Sequence, residues 1–332
     1  MKFINLFVLL ILAFGYGCQK DDHTDLPHQC KDQPNLSISY FTEERYQFKS
    51  PFFNPLNGDE ICFHFKDNAQ QAYTISRYNL VSGESLDLAI NVRNTSKPVW
   101  SVTGWVAFNK TETGQIWKVK ENGDSLTQIT ENVYNAFPVW GAQGEILYYR
   151  HTPINGIPYY FFGNNMDGQV DTLLQNGDAH NGYVRYSAVN PENLVIAETF
   201  LNEEGVIGIS NIQEGPLVFR KLFSKDEADF AGLSDLCITP NGLKSYASVY
   251  LHGIYEIDNS DGTFRKIINH CWNRRYNKIS ISPDGMKLVG ELVESYIEYD
   301  KNNNPTGNII EQSSIYLIDL ESLEETKVTI TR

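Results

Sequence analysis

Three polar segments of the sequence combine aromatic rings with arginine or histidine, the residue types best suited to ligand recognition. Their candidate ligand-binding residues are Tyr134, His180, Tyr183, Arg185, Trp272, Arg274 and Arg275. Rigid aromatic side chains and arginine are common anchors of interfaces, and a guanidinium group pairs well with a carboxylate. The segments predict binding of a protein or a glycan. Packing between structural units would explain the same residues, and the sequence leaves that alternative open.

Catalytic motifs are absent from the sequence. It contains neither a Gly-x-Ser-x-Gly elbow nor a phosphate-binding or dinucleotide-binding glycine loop. Four histidines (His151, His180, His252 and His270) fall at or near predicted loops, and their number permits a divalent-metal site. No spacing among them requires one, and no Cys-x-x-Cys pair suggests structural zinc. We therefore assign no catalytic residue, metal ligand or cofactor, and favour a non-enzymatic function while leaving enzymatic activity open.

The N-terminus has the layout of a secretory signal. Lys2 precedes an apolar run at 3–14, and Gly15 and Gly17 flank the expected cut. The run is too short to span a bilayer of about 30 Å. The residues before Cys18 resemble a bacterial lipoprotein signal, in the relaxed form typical of Bacteroidetes, because Gly15 stands where leucine is usual. This resemblance implies that the Cys18 thiol takes a diacylglyceryl group and that residues 18–33 form a polar tether.

Acidic residues follow the predicted lipidation site. Lys20-Asp21-Asp22 resembles the Bacteroidetes lipoprotein export signal, which implies display on the outer face of the outer membrane. A periplasm-facing lipoprotein is the second choice, since the same residues could be an ordinary solvated charge cluster. The formal net charge of −14 excludes nucleic-acid binding on electrostatic grounds. No later apolar run is long enough to cross a membrane, so the lipid is the only membrane attachment expected.

Four cysteines follow Cys18, and an even number in an oxidising compartment permits two disulfides. The preferred pairs are Cys30–Cys62 and Cys237–Cys271, because each would join neighbouring segments. Three connectivities are possible, and a buried thiol at Cys237 is an equally good alternative.

The sequence contains a repeat with a period of 40–49 residues, and this repeat positions the residues named above. Six segments share a polar turn between two apolar strands, and the turns end at Gly58, Gly104, Gly144, Asn193, Gly242 and Gly285. These positions are 46, 40, 49, 49 and 43 residues apart, a period typical of propeller blades. In Ser282-Pro283-Asp284-Gly285, proline presets φ, aspartate bonds back to the backbone and glycine takes positive φ. A third and an outer strand complete each unit.

The motifs at Pro98–Ser101 and Ser282–Gly285, with the strands that follow them, resemble the repeat of TolB-type propellers. The resemblance covers about residues 50–331. It implies an all-β fold, a six-bladed β-propeller with about four antiparallel strands per blade. The domains expected are a signal peptide (1–17), a tether (18–33) and a TolB-like propeller (34–332). Residues 35–41 could add to the edge of the last blade, and that blade has a long second-to-third connection at 294–312.

The function that follows is a lipid-anchored binding or scaffold module, which contacts an envelope protein or a glycan through the face where the propeller loops gather. The alternative is a metal-dependent polysaccharide lyase or hydrolase, because oligogalacturonate lyases place histidine and carboxylate ligands around a propeller channel.

Overall fold

The computed structural model describes residues 37–39, 45–141 (except 71, 95 and 132–134) and 233–332. Between 146 and 224 it describes strands alone, without side chains beyond Ile146. Every regular element in these ranges is a β-strand, so none is a helix that could span a membrane. The signal, the tether and Cys18 lie outside the described residues.

Consecutive strands pair into six sheets, which we number I–VI, after a short first strand β1 (Ser37–Ser39). Sheet I contains β2 (Tyr46–Asn54), β3 (Asn57–Asp67), β4 (Tyr73–Asn79) and β5 (Ser85–Val92). Sheet II contains β6 (Val99–Trp100), β7 (Trp105–Asn109), β8 (Ile116–Lys120) and β9 (Thr127–Gln128). Sheet III contains β10 (Asn135–Trp140), β11 (Ile146–Ile154), β12 (Ile157–Gly163) and β13 (Thr172–Leu173).

Sheet IV contains β14 (Val184–Tyr186), β15 (Leu194–Leu201), β16 (Glu204–Asn211) and β17 (Arg220–Ser224). Sheet V contains β18 (Leu233–Ile238), β19 (Lys244–Val249), β20 (Gly253–Asp258) and β21 (Phe264–Asn269). Sheet VI contains β22 (Arg274–Ile281), β23 (Lys287–Tyr299), β24 (Pro305–Asp319) and β25 (Glu325–Lys327), with β1 added. Sheets I, II, V and VI, whose side chains are described, confirm the prediction of an all-β propeller with four-stranded antiparallel blades.

The predicted turn chemistry is present where the first strand of a sheet meets the second. In sheet VI the Asp284 carboxylate accepts the Met286 N–H at 2.9 Å, and Gly285 adopts φ 75°. In sheet V the Asn241 side chain accepts the Leu243 N–H at 3.0 Å, and Gly242 adopts φ 73°. Because these bonds are local, each of these two repeats carries the residues that shape its own hairpin turn.

The core lies between neighbouring sheets. Trp100 and Val106 of sheet II pack on Cys62 and Ile75 of sheet I, and all four are at most 1% exposed. A side chain buried in this way contributes about 1.5–3 kcal/mol. Equivalent clusters lie between sheets V and VI and between sheets VI and I. One sheet alone would leave both its apolar faces in water, so the stack of sheets is the stable unit.

The first strands form a closed circuit of contacts, in the order β2, β6, β10, β14, β18, β22 and back to β2. Sheets I and VI meet without exchanging a strand, because each takes its four consecutive strands from one stretch of chain. We call this junction the seam. The Glu291 carboxylate accepts the Ser50 N–H across it at 2.9 Å, and the Tyr78 hydroxyl donates to the Thr329 carbonyl at 3.0 Å. The last blade thus takes its four consecutive strands from one stretch of chain, with β1 added to it.

The long connection at 294–312 is a β-hairpin instead of an open loop. Strands β23 and β24 continue past the rest of sheet VI and pair through Ile297–Ile309 and Tyr299–Pro305. We call residues 295–311 the arm. Strand β1 pairs in parallel with the arm at Ile297–Tyr299, as the prediction for residues 35–41 allowed.

Both predicted disulfides are wrong. Cys62 and Cys237 keep their thiols and are buried, whereas Cys271 is in a disulfide. Cys62 faces the core between sheets I and II, where burial raises the pKa of its thiol. Neighbouring segments were the basis of the predicted pairs, but Cys62 packs in the core between sheets I and II, and Cys237 packs in the core between sheets V and VI.

Candidate ligand-binding face

Two tight loops of sheet V present large side chains to solvent on one face of the propeller. Residues 250–252 join β19 to β20, and residues 270–273 join β21 to β22. Tyr250 is 42% exposed, Leu251 41% and Trp272 48%. We call this the loop face. Large apolar groups exposed on adjacent loops are a common feature of interaction sites.

Hydrogen bonds hold the two loops together. The His270 N–H donates to the His252 carbonyl at 3.3 Å, which links one loop to the other. Cys271 and Arg274 exchange two backbone bonds, of 2.8 and 3.1 Å, so Trp272 stands at the tip of a closed turn. The exposed rings are thus presented on backbone that is already ordered, which lowers the entropy cost of binding.

His270 lies beneath these loops and both its ring nitrogens are engaged. Nδ1 lies 2.9 Å from the Val249 carbonyl, and Nε2 lies 3.1 Å from the Tyr276 N–H. A neutral ring that donates from Nδ1 and accepts at Nε2 satisfies both contacts. Burial is the main cause that lowers the pKa of His270 to about 3. His270 is therefore a structural residue and is not available as a metal ligand.

Arg275 joins the loops to the arm. Its guanidinium group lies 2.5 Å from the Glu311 carboxylate, donates to the Ser295 hydroxyl at 3.3 Å and lies 5.2 Å from the centre of the Tyr250 ring. These contacts leave only 12% of the Arg275 side chain exposed. Arg275 thus orients Tyr250, and a ligand carboxylate would reach the guanidinium only in competition with Glu311.

Arg274 points elsewhere. Its guanidinium group lies 3.2 Å from the Glu325 carboxylate, and the two side chains are 10% and 5% exposed. The Tyr276 hydroxyl donates to the same carboxylate. Burial and the Glu325 charge raise the pKa of Tyr276 well above its usual value. Arg274 therefore stabilises sheet VI and does not belong to the exposed surface.

Of the seven predicted binding residues, the structure brings Trp272 and Arg275 to the loop face. Tyr134, His180 and Tyr183 lie outside the described residues, and Arg185 is described only as part of β14. The sequence reading missed Tyr250, Leu251 and Ile309, which is 63% exposed on the arm. Two successive apolar residues in the turn Tyr250–His252 could have indicated this exposed apolar surface. We define Tyr250, Leu251, Trp272, Arg275 and Ile309 as the loop-face patch.

The centre of the ring contains a buried ion pair. Lys97 Nζ lies 2.5 Å from the Asp235 carboxylate, and their side chains are 2% and 0% exposed. The same carboxylate accepts the Ile279 N–H at 3.0 Å. The contacts join sheets II, V and VI. Within the described ranges no three His, Cys, Asp or Glu side chains form a group that could hold a metal ion.

A cleft of about 700 Å³ opens on the opposite face, between the turns of sheets V and VI. Glu256 on its wall lies 3.2 Å from Lys244 and 3.0 Å from Arg265, and accepts the Tyr246 hydroxyl at 3.0 Å. Burial raises the pKa of Glu256, but these hydrogen bonds outweigh it and the pKa is lowered. A carboxylate that is paired on three sides is a poor general base.

No protein-family model and no curated protein matches the sequence. Solved structures match at low identity. TolB from Acinetobacter baumannii is 12% identical, with a TM-score of 0.52 over 91% of this chain and 75% of that chain. The β-propeller domain of the Trilobed protease from Pyrococcus furiosus, described as having an open velcro topology, is 14% identical, with a TM-score of 0.51 over 85% and 81%.

An oligogalacturonate lyase in complex with manganese is 13% identical to this chain. Its TM-score is 0.52 over 86% of this chain and 78% of the lyase. Similarity at this level of identity establishes the TolB-like propeller fold alone, because the same scaffold carries unrelated functions.

Proposed function

We propose that this chain is a non-enzymatic binding module, held at the bacterial cell envelope by a lipid on Cys18, which binds a protein or glycan through the loop-face patch. The observation that carries the proposal is the rigid display of Tyr250, Leu251 and Trp272, at 41–48% exposure, on loops fixed by hydrogen bonds. Aromatic rings offer a large apolar area together with a polar group, which suits both protein and glycan ligands, so both classes are kept in the proposal.

The scaffold we propose is a six-bladed propeller of the TolB type. The closed circuit of contacts among the first strands of sheets I–VI supports it, as does the repeat of six turns in the sequence. The signal-like N-terminus and Lys20-Asp21-Asp22 support an outer-membrane lipoprotein of Bacteroidetes type that faces outward, and a periplasm-facing lipoprotein is the second choice.

Binding can be tested by alanine substitution on both faces of the propeller. We expect Trp272→Ala and Tyr250→Ala each to lower the affinity for the captured protein or glycan at least tenfold. The reason is that truncation of an aromatic anchor at the centre of an interface costs about 2 kcal/mol or more. The measurement is calorimetry with a ligand first isolated from envelope extract or a glycan array. Leu243→Ala is the matched control, because Leu243 is 62% exposed on the opposite face. Equal losses in all three variants would refute the loop-face patch.

A metal-dependent polysaccharide lyase or hydrolase is the second candidate, supported by the fold shared with the manganese-bound lyase. Of the four candidate histidines, His151, His180 and His252 remain as possible ligands, since both nitrogens of His270 are engaged. Metal analysis of the purified chain decides between the candidates. Stoichiometric manganese that is lost in His151→Ala and His180→Ala would favour the lyase and sink the pure binding module.

A further inference from the structure

The arm has an open strand edge. Strand β24 pairs with β23 from Ile309 to Asp319 without a register shift, but with β25 only at Tyr316–Ile318. Along the arm, no strand in the described part of the chain pairs with the outer side of β24. We infer that two copies of this chain join through this edge, so that the β24 strands of the two arms pair antiparallel about a two-fold axis.

The backbone groups on this edge point away from β23. The Ile315 carbonyl accepts the Val328 N–H at 2.8 Å, on the side of β24 where β25 lies. Successive residues of a strand turn their backbone groups to alternate sides, so Ile309, Glu311 and Ser313 turn theirs to the same side as Ile315. A further strand along the arm would therefore receive a regular ladder of hydrogen bonds from these residues.

The outer strands of the other sheets carry features that hinder such pairing. Among those with described side chains, β9 has two residues and β25 has three, β5 has two register shifts, and β21 has one register shift and carries Arg265 and Lys266. Short strands, bulges and charged side chains are the usual protection of sheet edges. The arm has no register shift from Ile309 onwards, and its Glu311 carboxylate is already paired with Arg275.

A second copy of the same strand fits this edge. With the two-fold axis at Ile309, Ile309 faces Ile309 of the copy, and Glu311 faces Gly307 of the copy, so the two carboxylates do not meet. An axis at Glu311 would set like charges directly opposite each other, which is destabilising. Cross-strand pairs of β-branched side chains stabilise antiparallel strands. The Ile309 pair would also bury a side chain that is 63% exposed in the single chain.

The pairing closes at two copies. On its other side the arm already carries β1, which pairs with Ile297–Tyr299 and shows that this ribbon accepts an additional strand. A two-fold contact uses the same edge in both copies, so neither keeps an open β24 edge for a third copy. Ile309 belongs to the loop-face patch, so the dimer would bring two patches together and favour a multivalent ligand. That consequence rests on the proposed function, whereas the dimer itself does not.

Cysteine cross-linking tests the pairing in the full chain, purified from the cell fraction that contains it. In the proposed pair the Cα atoms of the two Ile309 residues lie about 5.5 Å apart, within the range of a disulfide. Ile309→Cys should therefore give a covalent dimer on a non-reducing gel after mild oxidation. Gln312→Cys is the matched control on the same strand and should stay monomeric, because its two copies would lie about 20 Å apart.

A charge on the edge gives an independent test. Ile309→Lys places two ammonium groups opposite each other. We expect the dissociation constant of the dimer, measured by analytical ultracentrifugation, to rise about tenfold or more, because like charges brought together at an interface oppose association. Leu243→Lys is the control and should keep the wild-type constant, since Leu243 is 62% exposed on the opposite face.

Three results would overturn the inference: equal cross-linking in Ile309→Cys and Gln312→Cys, a wild-type chain that stays monomeric at every concentration, or a different protein linked to Ile309→Cys in intact cells. Failure of the proposed function is recognised separately. A chain that binds neither a protein ligand nor a glycan would still give the covalent dimer of Ile309→Cys.

Discussion

At the scale of single residues, one position in the second strand of sheets II, V and VI joins each of them to a neighbouring sheet. In sheet VI this is Glu291, which binds Ser50 of sheet I. In sheet V it is Ser248, whose hydroxyl donates to the Tyr276 carbonyl of sheet VI at 2.6 Å. In sheet II it is Asn109, whose amide donates to the Asn135 carbonyl of sheet III.

His64 occupies this position in sheet I and departs from the pattern. It is fully buried, and neither ring nitrogen has a hydrogen-bond partner, although the backbone of Arg93 lies nearby. Burial is the main cause that lowers its pKa to about 3. A neutral, unsatisfied histidine between sheets I and II costs stability that a polar bridge would not.

The two buried histidines predict a pH dependence of stability. Below the ordinary pKa of 6.5 the unfolded chain binds protons at His64 and His270, whereas the folded chain does not until about pH 3. The unfolding free energy that depends on these two histidines is therefore highest above pH 6.5, and it falls as the pH is lowered from 6.5 towards 3. Each histidine should lower the unfolding free energy by about 2 kcal/mol between pH 7 and pH 5.

His64→Phe should remove half of that loss and raise stability at pH 7, because it deletes two unsatisfied buried nitrogens. Urea unfolding at pH 7 and pH 5 measures both effects. His252→Gln, a substitution at a partly exposed histidine, is the control and should keep the wild-type loss. An unchanged pH dependence in His64→Phe would show that this residue is not buried neutral.

At the scale of elements, the sequence predicted the turns and strands because those depend on neighbouring residues. Asp284 and Gly285 act within their own hairpin. The repeat could be recognised because most of its turns end in glycine. Contacts between sheets could not be predicted in this way. The burial of Arg274 against Glu325, 51 residues away, depends on which strands become neighbours, and so does the exposure of Ile309 on the arm.

Gly290 shows such a contact between strands. A Cβ at this position would lie 2.6 Å from Cδ1 of the Tyr276 ring, and that ring is held by its bond to Glu325. Gly290→Ala should therefore lower the unfolding free energy by about 1–3 kcal/mol through overpacking. The control is Gly58→Ala, since its Cβ would meet Pro283 at an ordinary 3.6 Å. Equal unfolding midpoints in urea for the two variants would contradict this packing.

At the scale of the whole molecule, the seam between sheets I and VI closes the ring through packed side chains and hydrogen bonds, with β1 added to sheet VI ahead of sheet I. Phe53, Phe63 and Tyr78 of sheet I pack against Val289 and Ile315 of sheet VI. Arg332 adds an ion pair of 2.5 Å with Asp87 and lies 4.1 Å above the Phe65 ring. Closure thus depends on residues at the two ends of the described chain.

Tyr78→Phe tests the closure, because it removes only the hydroxyl that donates to Thr329. We expect a loss of about 1 kcal/mol in unfolding free energy and faster hydrogen exchange on both sides of the seam. Tyr73→Phe removes a bond of 3.0 Å to Gln47 within sheet I. That control should not change exchange in sheet VI. If hydrogen exchange in Tyr78→Phe becomes faster in sheet I alone, the seam does not depend on this bond.

The position of β1 has a mechanical consequence. The chain is held on sheet VI at Ser37–Ser39 and enters sheet I at Tyr46, so it crosses the seam before the first blade begins. A pull on the N-terminal segment is therefore taken up by the hydrogen bonds of β1 on β23, and does not reach β2 until they break. The load thus passes to sheet VI, which lies across the seam from sheet I, the sheet that follows β1 in sequence.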